Sequence, residues 1–318
     1  MISSGFILAG LVLLLFGAEI MIRGAVVFAQ KLNISSHVIG LTVIAFGTSI
    51  PELFVSLKAA INCSPGIAIG NVIGSNIANI LLMIGTVGMI SPFICNSVRI
   101  RRDGITLIIG TIFFLAISIN NSIIERWHGA IMLLTLIIYL FYCYREEQRK
   151  HKNLDPEKVE RCDSSITNAG CIALYIAAGL IALLVGARFL LDGAVSIANH
   201  AGISETVIGI TIVAIGTSLP ELATTIVAAL HRQNNLAVGN IIGSNIFNTM
   251  GIIGMAALLN PLPIPEDVVT LNIWFMFSVT VLFVGIAIVL PKFNRIWATV
   301  FFATYVVFIT HQFFHLSI

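Results

Sequence analysis

Charge is what this sequence has least of. Asp, Glu, Lys and Arg make up 10% of its 318 residues and hydrophobic residues 58%, whereas soluble domains average about 25% charged. That scarcity excludes an ordinary soluble domain. With a mean hydropathy of +1.00 it predicts a multi-span α-helical membrane protein set in a lipid bilayer. No block of basic residues suits nucleic acid, so none is expected as a partner, and no obligate protein partner is evident. The five cysteines, at 63, 95, 143, 162 and 171, have no CxxC spacing, which excludes a disulfide framework or a zinc site. There is no HExxH and no GxxxxGK[ST], and the histidines at 37, 128, 151, 200, 231, 311 and 315 show no catalytic spacing. Neither an enzyme nor a nucleotide-driven pump is expected, and no cofactor. The N-terminus, MISSGFILAGLVLLLFGAEIMIRG, lacks a basic n-region and its apolar run is long for a signal peptide. It is expected to be a retained first transmembrane helix.

Apolar stretches of spanning length fall near 5–29, 37–60, 67–90, 104–121, 124–144, 168–198, 206–230, 236–259, 269–290 and 296–316. The expected fold is therefore all-α, with ten transmembrane helices. The polar interval YREEQRKHKNLDPEKVERCDSS divides the ten into five and five. The expected organisation is a first five-helix unit at 1–145, a linker loop at 146–166 and a second five-helix unit at 167–318. The linker lacks room for a folded regulatory domain. Arg23, Lys31, Arg99, Arg101, Arg102, the bases of the central interval, Arg232, Lys292 and Arg295 fall on one side of these spans, and only Lys58, Arg126 and Arg188 on the other. That asymmetry predicts a cytoplasmic central loop, both termini outside, and a plasma (inner) membrane location.

The two halves repeat. AFGTSIPEL at Ala45–Leu53 returns as AIGTSLPEL at Ala214–Leu222, an offset of 169 residues, and the same offset aligns GNVIGSNIAN (Gly70–Asn79) with GNIIGSNIFN (Gly239–Asn248) without a gap. Gly24-Ala25, Ile34-Ser35 and Pro92 also find their counterparts at Gly193-Ala194, Ile203-Ser204 and Pro261. An odd number of spans per repeat makes the second copy enter from the opposite side, the inverted-topology architecture of many secondary transporters. Glu19 with Arg23, and Arg188 with Asp192, are expected i,i+4 ion pairs with the charges swapped between halves.

Each copy carries a helix breaker where lipid-facing helix is expected. Pro51 and Pro220 have no amide hydrogen, so the carbonyls of Gly47 and Gly216 lose their helical partners. Backbone oxygens near Ala45 and Ala214 are then candidates to face a cavity. Helices broken at matched places in two halves point to a midplane site. Thr48, Ser49 and Glu52 share a face where the helix is regular, and Asn71, Ser75 and Asn79 recur every four residues. The second copy supplies Thr217, Ser218, Glu221, Asn240, Ser244 and Asn248. This set of carboxylate, hydroxyl, amide and carbonyl oxygens suits hard cations, and Ca²⁺ takes 6–8 oxygens. Glu52 and Glu221 are the only acidic residues that fall in the middle of an expected span, where each costs roughly 2.5–3.5 kcal/mol. Two carboxylates neutralise one Ca²⁺, attract two or three Na⁺, or each take a proton. Gly66, Gly70, Gly74, Gly239 and Gly243 are small-xxx-small positions expected to pack helices closely. Asn71, Asn76, Asn240 and Asn245 are either ligands or interhelical hydrogen-bonding residues.

GTSIPE with GSNIAN, and GTSLPE with GSNIFN, closely resemble the two repeats of the sodium/calcium exchanger family, in the calcium/cation antiporter superfamily. The short central loop resembles the prokaryotic branch. The resemblance implies a Na⁺/Ca²⁺ antiporter working by alternating access, with spans 2, 3, 7 and 8 holding the ions and spans 1 and 6 sliding across them. It places the metal-binding positions on Ala45, Thr48, Ser49, Glu52, Ser75 and Asn79, and on Ala214, Thr217, Ser218, Glu221, Ser244 and Asn248, the two alanines through their carbonyls. Asn248 is a departure: some exchangers carry Asp there, which leaves K⁺ or H⁺ involvement and stoichiometry open. A proton-coupled antiporter of the same fold is the alternative, although such relatives usually carry GN rather than GTS before the Glu. From a different class comes a cation channel, which a paired-carboxylate central site suits less well.

Overall fold

The computed structural model describes residues 2–32, 34–95, 98–120, 123–151, 168–200, 214–264 and 272–316. Among them six helices are long and apolar enough to cross a membrane: Gly5–Lys31, Pro65–Ile90, Val98–Asn120, Arg126–Arg149, Ala169–Ile197 and Asn234–Leu259. A seventh is counted if Ser36–Thr48 and Ile50–Ile61, bent by 48° at their junction, are one broken span. Leu219–Leu230 and Ile273–Val289 are shorter apolar helices. They lie within the expected spans 206–230 and 269–290, whose first residues fall outside the described residues. A helix at Arg295–Leu316 ends the described chain.

The sequence periodicity misplaced some boundaries. The helix expected at 104–121 begins at Val98, so Arg99, Arg101, Arg102 and Asp103 lie inside it. The helix expected to stop at 144 continues to His151, into the expected linker. Charged residues are tolerated at these helix ends because they pair with one another, as shown below. Residues 152–167 of the linker lie outside the described residues.

The surface is apolar and part of the interior is polar, the reverse of a soluble protein. Leu8, Phe54, Ile137 and Val307 face outward, while Thr48, Ser49, Glu52, Asn79, Glu221, Ser244 and Asn248 are buried. Two antiparallel two-residue strand pairs clip the ends of helices together, Phe93–Ile94 with Lys292–Phe293 and Ile123–Ile124 with Leu262–Pro263. Helical periodicity gave no sign of them. Each pair joins a residue stretch of the first half to one of the second, and a shift of 169 residues maps Phe93 onto Leu262 and Ile124 onto Phe293.

The helices Ile2–Lys31 and Ala169–His200 lie against each other along a glycine seam. A Cβ added at Gly10 would stand 2.6 Å from the Leu190 amide nitrogen, one at Gly17 2.8 Å from the Gly179 carbonyl oxygen, and one at Gly179 2.6 Å from the Met21 nitrogen. Backbones approach this closely only where no side chain intervenes. The two helices flank the bundle that carries the broken segments, and Gly47 and Gly216 face Leu180 and Leu191 of the Ala169–His200 helix.

Candidate ion-binding site

Both prolines do what their chemistry requires. The first broken segment leaves helical geometry at Ser49 (φ −82°, ψ 9°) and the second at Ser218 (φ −88°, ψ 6°), and new helices begin at Ile50 and Leu219 with Pro in the first turn. Pro needs no amide partner there and its fixed φ suits a helix start. Glu52 and Glu221 sit in those first turns, where the free amides of a helix N-terminus favour negative charge.

The two carboxylates are cross-braced. Ser218 Oγ donates to Glu52 Oε1 at 2.9 Å, and Ser49 Oγ donates to Glu221 Oε1 at 2.8 Å. Thr217 and Thr48 also stand beside Glu52 and Glu221. Ser218 Oγ lies 3.3 Å from Ser75 Oγ, which brings the 65–78 helix to the same centre. Each half therefore holds the other half's carboxylate through its own Ser at the break. Both glutamates are 1% exposed, and no salt bridge among the described residues reaches either of them.

What remains is a set of buried polar atoms without partners: Glu52 Oε2, Glu221 Oε2, Ser244 Oγ, and both amide atoms of Asn79 and of Asn248. Buried polar groups are nearly always satisfied, and an unpaired buried charge costs several kcal/mol. Ser35, Asn76, Arg102, Asn234, Asn240 and Asn245 each leave one further atom unpartnered, but the two carboxylates with their neighbouring oxygens form the donor set whose chemistry suits a hard cation. Asn79 opens a π-helical turn at Asn79–Met83, and Asn248 lies in another at Phe247–Ile252. Such turns are frequent at functional sites.

The two alanine carbonyls differ from each other. Ala45 O accepts the Ser49 amide at 3.1 Å, so it keeps its helical partner and has one lone pair left for a ligand. In the second half the Ser218 amide bonds to Ile215 O at 3.1 Å rather than continuing the regular spacing from Ala214. Thr48 spends its hydroxyl hydrogen on Ile44 O at 3.0 Å and keeps its lone pairs.

Asn71 and Asn240 act as braces. Asn71 Nδ2 donates to the Glu52 carbonyl (3.1 Å) and to Ser56 Oγ (2.9 Å). Asn240 Nδ2 donates to Thr224 Oγ1 (3.2 Å) and more weakly to Thr225 Oγ1 (3.4 Å), and both threonines donate to the Glu221 carbonyl. Asn76 Nδ2 crosses between halves to Thr249 Oγ1 at 2.8 Å. Asn245 Nδ2 turns back to Ile241 O at 2.7 Å. Ser56, Thr224 and Thr225 were not singled out from the sequence, although Thr224 and Thr225 stand three and four residues after Glu221 and so share its helix face. The expected ion pairs form, Arg23 with Glu19 at 2.7 Å and Arg188 with Asp192 at 3.8 Å, both with exposed partners. Gly239 and Gly243 pack tightly as expected, but no described atom lies within 4 Å of a Cβ placed at Gly70 or Gly74.

A family model described as "Sodium/calcium exchanger protein" matches residues 2–145 and 172–314. The chain belongs to that family. It is a multi-pass membrane antiporter, and it is similar over its whole length to other members. It is 35% identical over 304 residues to the "Putative antiporter CaxA" of Alkalimonas amylolytica, covering 93% of each chain. It is 36% identical over 304 residues to the "Sodium/calcium exchanger MaX1" of Methanosarcina acetivorans, covering 84% of this chain and 86% of that one. A solved structure of the sodium-calcium exchanger NCX_Mj superposes with a TM-score of 0.83 at 34% identity, covering 98% of both chains.

Proposed function

We propose that this exchanger couples Na⁺ entry to Ca²⁺ movement in the opposite direction by alternating access, acting as a transporter and not as an enzyme. The observation that carries the reading is the crossed carboxylate pair, each with one oxygen held by a serine of the other half and the second oxygen unpartnered. Ca²⁺ brings two charges to two carboxylates and takes hydroxyl, amide and carbonyl oxygens to complete its shell. Na⁺ takes the same hard oxygens. Ions that share one pair of carboxylates compete, and competition at a site reached from one face at a time yields exchange.

The proposed ligands are Glu52, Glu221, Ser49, Ser218, Thr48, Thr217, Ser75, Ser244, Asn79, Asn248 and the Ala45 and Ala214 carbonyls. We read the chain as ten spans in two inverted five-helix repeats, 1–145 and 167–318, with the central loop in the cytoplasm, both termini outside, and a plasma-membrane location. Support comes from the 169-residue repeat, the matched breaks at Ser49 and Ser218, and the paired strand clips between halves.

The test is ⁴⁵Ca²⁺ uptake into proteoliposomes loaded with Na⁺, compared with vesicles loaded with choline. Uptake that requires internal Na⁺ is expected. Uptake driven by a pH gradient and indifferent to Na⁺ would replace Na⁺ with H⁺ in the mechanism, and uptake needing no counter-ion would make the protein a channel.

A further inference from the structure

A second buried polar cluster lies away from the ions, at the helix ends that carry most of the arginines. His37, 2% exposed, begins the segment that leads to Ala45 and Glu52. Its Nε2 is 2.7 Å from Asp103 Oδ2 and its Nδ1 3.1 Å from the Asn235 carbonyl oxygen. Both ring nitrogens face acceptors, so the ring is satisfied when it donates from both. Asp103 is fully buried, and its Oδ1 accepts from Tyr139 OH at 2.7 Å and Arg102 Nε at 2.5 Å. Arg102 continues to Glu146. Beside it Arg99 makes two bonds to Glu147, whose Oε2 accepts the Ser35 amide at 3.3 Å. The cluster ties the start of the 36–48 segment to the helices Val98–Asn120, Arg126–His151 and Asn234–Ile246. None of its side chains bonds to a proposed ion ligand.

It also lies at a close contact of two backbones. A Cβ on Gly239 would stand 2.3 Å from His37 O, one on Gly40 2.4 Å from Leu236 O, and one on Gly243 2.3 Å from Leu41 O. Residues 37–41 and 236–243 therefore meet backbone to backbone, just before the proposed ligands Ala45 and Ser244 in their two segments. In the other half, the residues that the 169-residue shift sets against Gly70 and Gly74, 206 and 210, lie outside the described residues.

The charges of this cluster have no counterpart in the second half. The shift of 169 residues takes His37 to Thr206, Arg102 to Leu271, Asp103 to Asn272 and Tyr139 to Phe308. Thr206 and Leu271 lie outside the described residues, and Asn272 Oδ1 accepts only a neutral bond, from Gln312 Nε2 at 2.8 Å. A protein built from two near-equivalent halves thus carries a charged clasp on one face alone.

We propose that His37 and Asp103 are a positioning pair that latches residues 36–44 onto the Asn234–Ile246 helix and sets how often the ion site opens to the arginine-rich face. This rests on the alternating-access reading. For ions to leave by this face the 37–41 and 236–243 backbones must part. His37 then gives up either the Asn235 carbonyl or Asp103, and leaving Asp103 takes the donor from its buried Oδ2 while Tyr139 and Arg102 stay on Oδ1, which costs a buried hydrogen bond. Weakening the pair shifts the population toward the state open on this face, and apparent affinity on a face follows the fraction of molecules open to it.

The test uses the full chain. In His37→Phe and Asp103→Asn, amide hydrogen exchange over residues 36–44 and 236–243 is expected to speed about tenfold with the rest of the protein unchanged. His37→Gln, which keeps one donor toward Asp103, falls between these and wild type, and serves if the others do not fold. In vesicles of known orientation the apparent KM for Ca²⁺ should fall at the arginine-rich face and rise at the opposite face, by about threefold or more. A merely structural defect lowers the maximal rate or moves both KM values alike. Unchanged exchange over 36–44 in all folded variants, or a rise spread over the whole chain, would overturn the proposal. Wild-type vesicles without Na⁺-dependent uptake would instead overturn the antiport reading, and hydrogen exchange would still judge the latch.

Discussion

Glu52→Gln abolishes Ca²⁺ exchange, lowering Ca²⁺ affinity by roughly a hundred- to a few-thousand-fold, and Glu221→Gln does the same. Gln keeps the shape of Glu and an oxygen that accepts the Ser218 hydroxyl, which in the wild type bonds to Glu52 at 2.9 Å. What disappears is one of the two negative charges that balance Ca²⁺. Removing one partner of a buried charge arrangement costs about 3–5 kcal/mol, and every 1.4 kcal/mol is tenfold. The same substitution leaves the ion-free fold intact. A carboxylate with an unpartnered oxygen is itself a cost of several kcal/mol in the membrane, so the melting temperature of the ion-free variant should equal or exceed that of wild type. Ligand binding stabilises in proportion to the logarithm of its concentration over Kd, so added Ca²⁺ raises the wild-type melting temperature and leaves that of the variant almost unchanged. Thermal melts with and without Ca²⁺, run beside ⁴⁵Ca²⁺ uptake, check both halves of this expectation. An ion-free melting temperature that collapses in Glu52→Gln would make the glutamate a structural residue.

Gly179→Leu gives the second large effect, by a different route. The Cβ it introduces would lie 2.6 Å from the Met21 nitrogen and 2.8 Å from the Gly17 carbonyl oxygen. Both obstacles are backbone, so no rotamer change relieves the contact and the two long helices must move apart. Overpacking typically costs 1–3 kcal/mol, and a backbone obstacle puts this case at about 3 kcal/mol. For a chain of this size that corresponds to a melting temperature lower by roughly 4–5 °C, with transport lost as the paired helices separate from the bundle. Gly285→Ala is the control. No described atom lies within 4 Å of its added Cβ, and Ala is the better helix former by up to about 1 kcal/mol, so stability stays level or rises. A Gly179→Leu protein that melts with the wild type would show that the seam does not hold the two helices.

The two effects separate what could be read in the sequence from what could not. The candidate site was legible because its chemistry is local and duplicated. Pro51 and Glu52 sit one residue apart in an apolar run, the arrangement returns at Pro220 and Glu221, and proline has only one effect on a helix interior. The crossing of the site was not legible, because no spacing says that Ser49 would hold Glu221 and Ser218 would hold Glu52, 172 and 166 residues away. The His37–Asp103 cluster was missed for the same reason, with 66 residues between the partners. A lone histidine at a helix start carries no periodic signal, and Asp103 was placed outside its helix because charge was read as a boundary. Periodicity also cannot see two-residue strands, so the Phe93 and Ile123 clips were absent from the reading. The glycines were read alike in both halves, and Gly239 and Gly243 meet the backbone of His37 and Leu41, whereas the counterparts of those two residues, 206 and 210, lie outside the described residues.

The central claim is that Ca²⁺ and Na⁺ share one pair of carboxylates. Calorimetric titration of Ca²⁺ into the purified protein, at rising Na⁺ with choline holding ionic strength constant, tests it most directly. The expected result is an apparent Kd for Ca²⁺ that climbs with Na⁺ more steeply than its first power, as more than one Na⁺ displaces each Ca²⁺, and no measurable Ca²⁺ binding in Glu52→Gln. A Ca²⁺ affinity that stays constant across the Na⁺ series would contradict the account, because the two ions would then occupy separate sites.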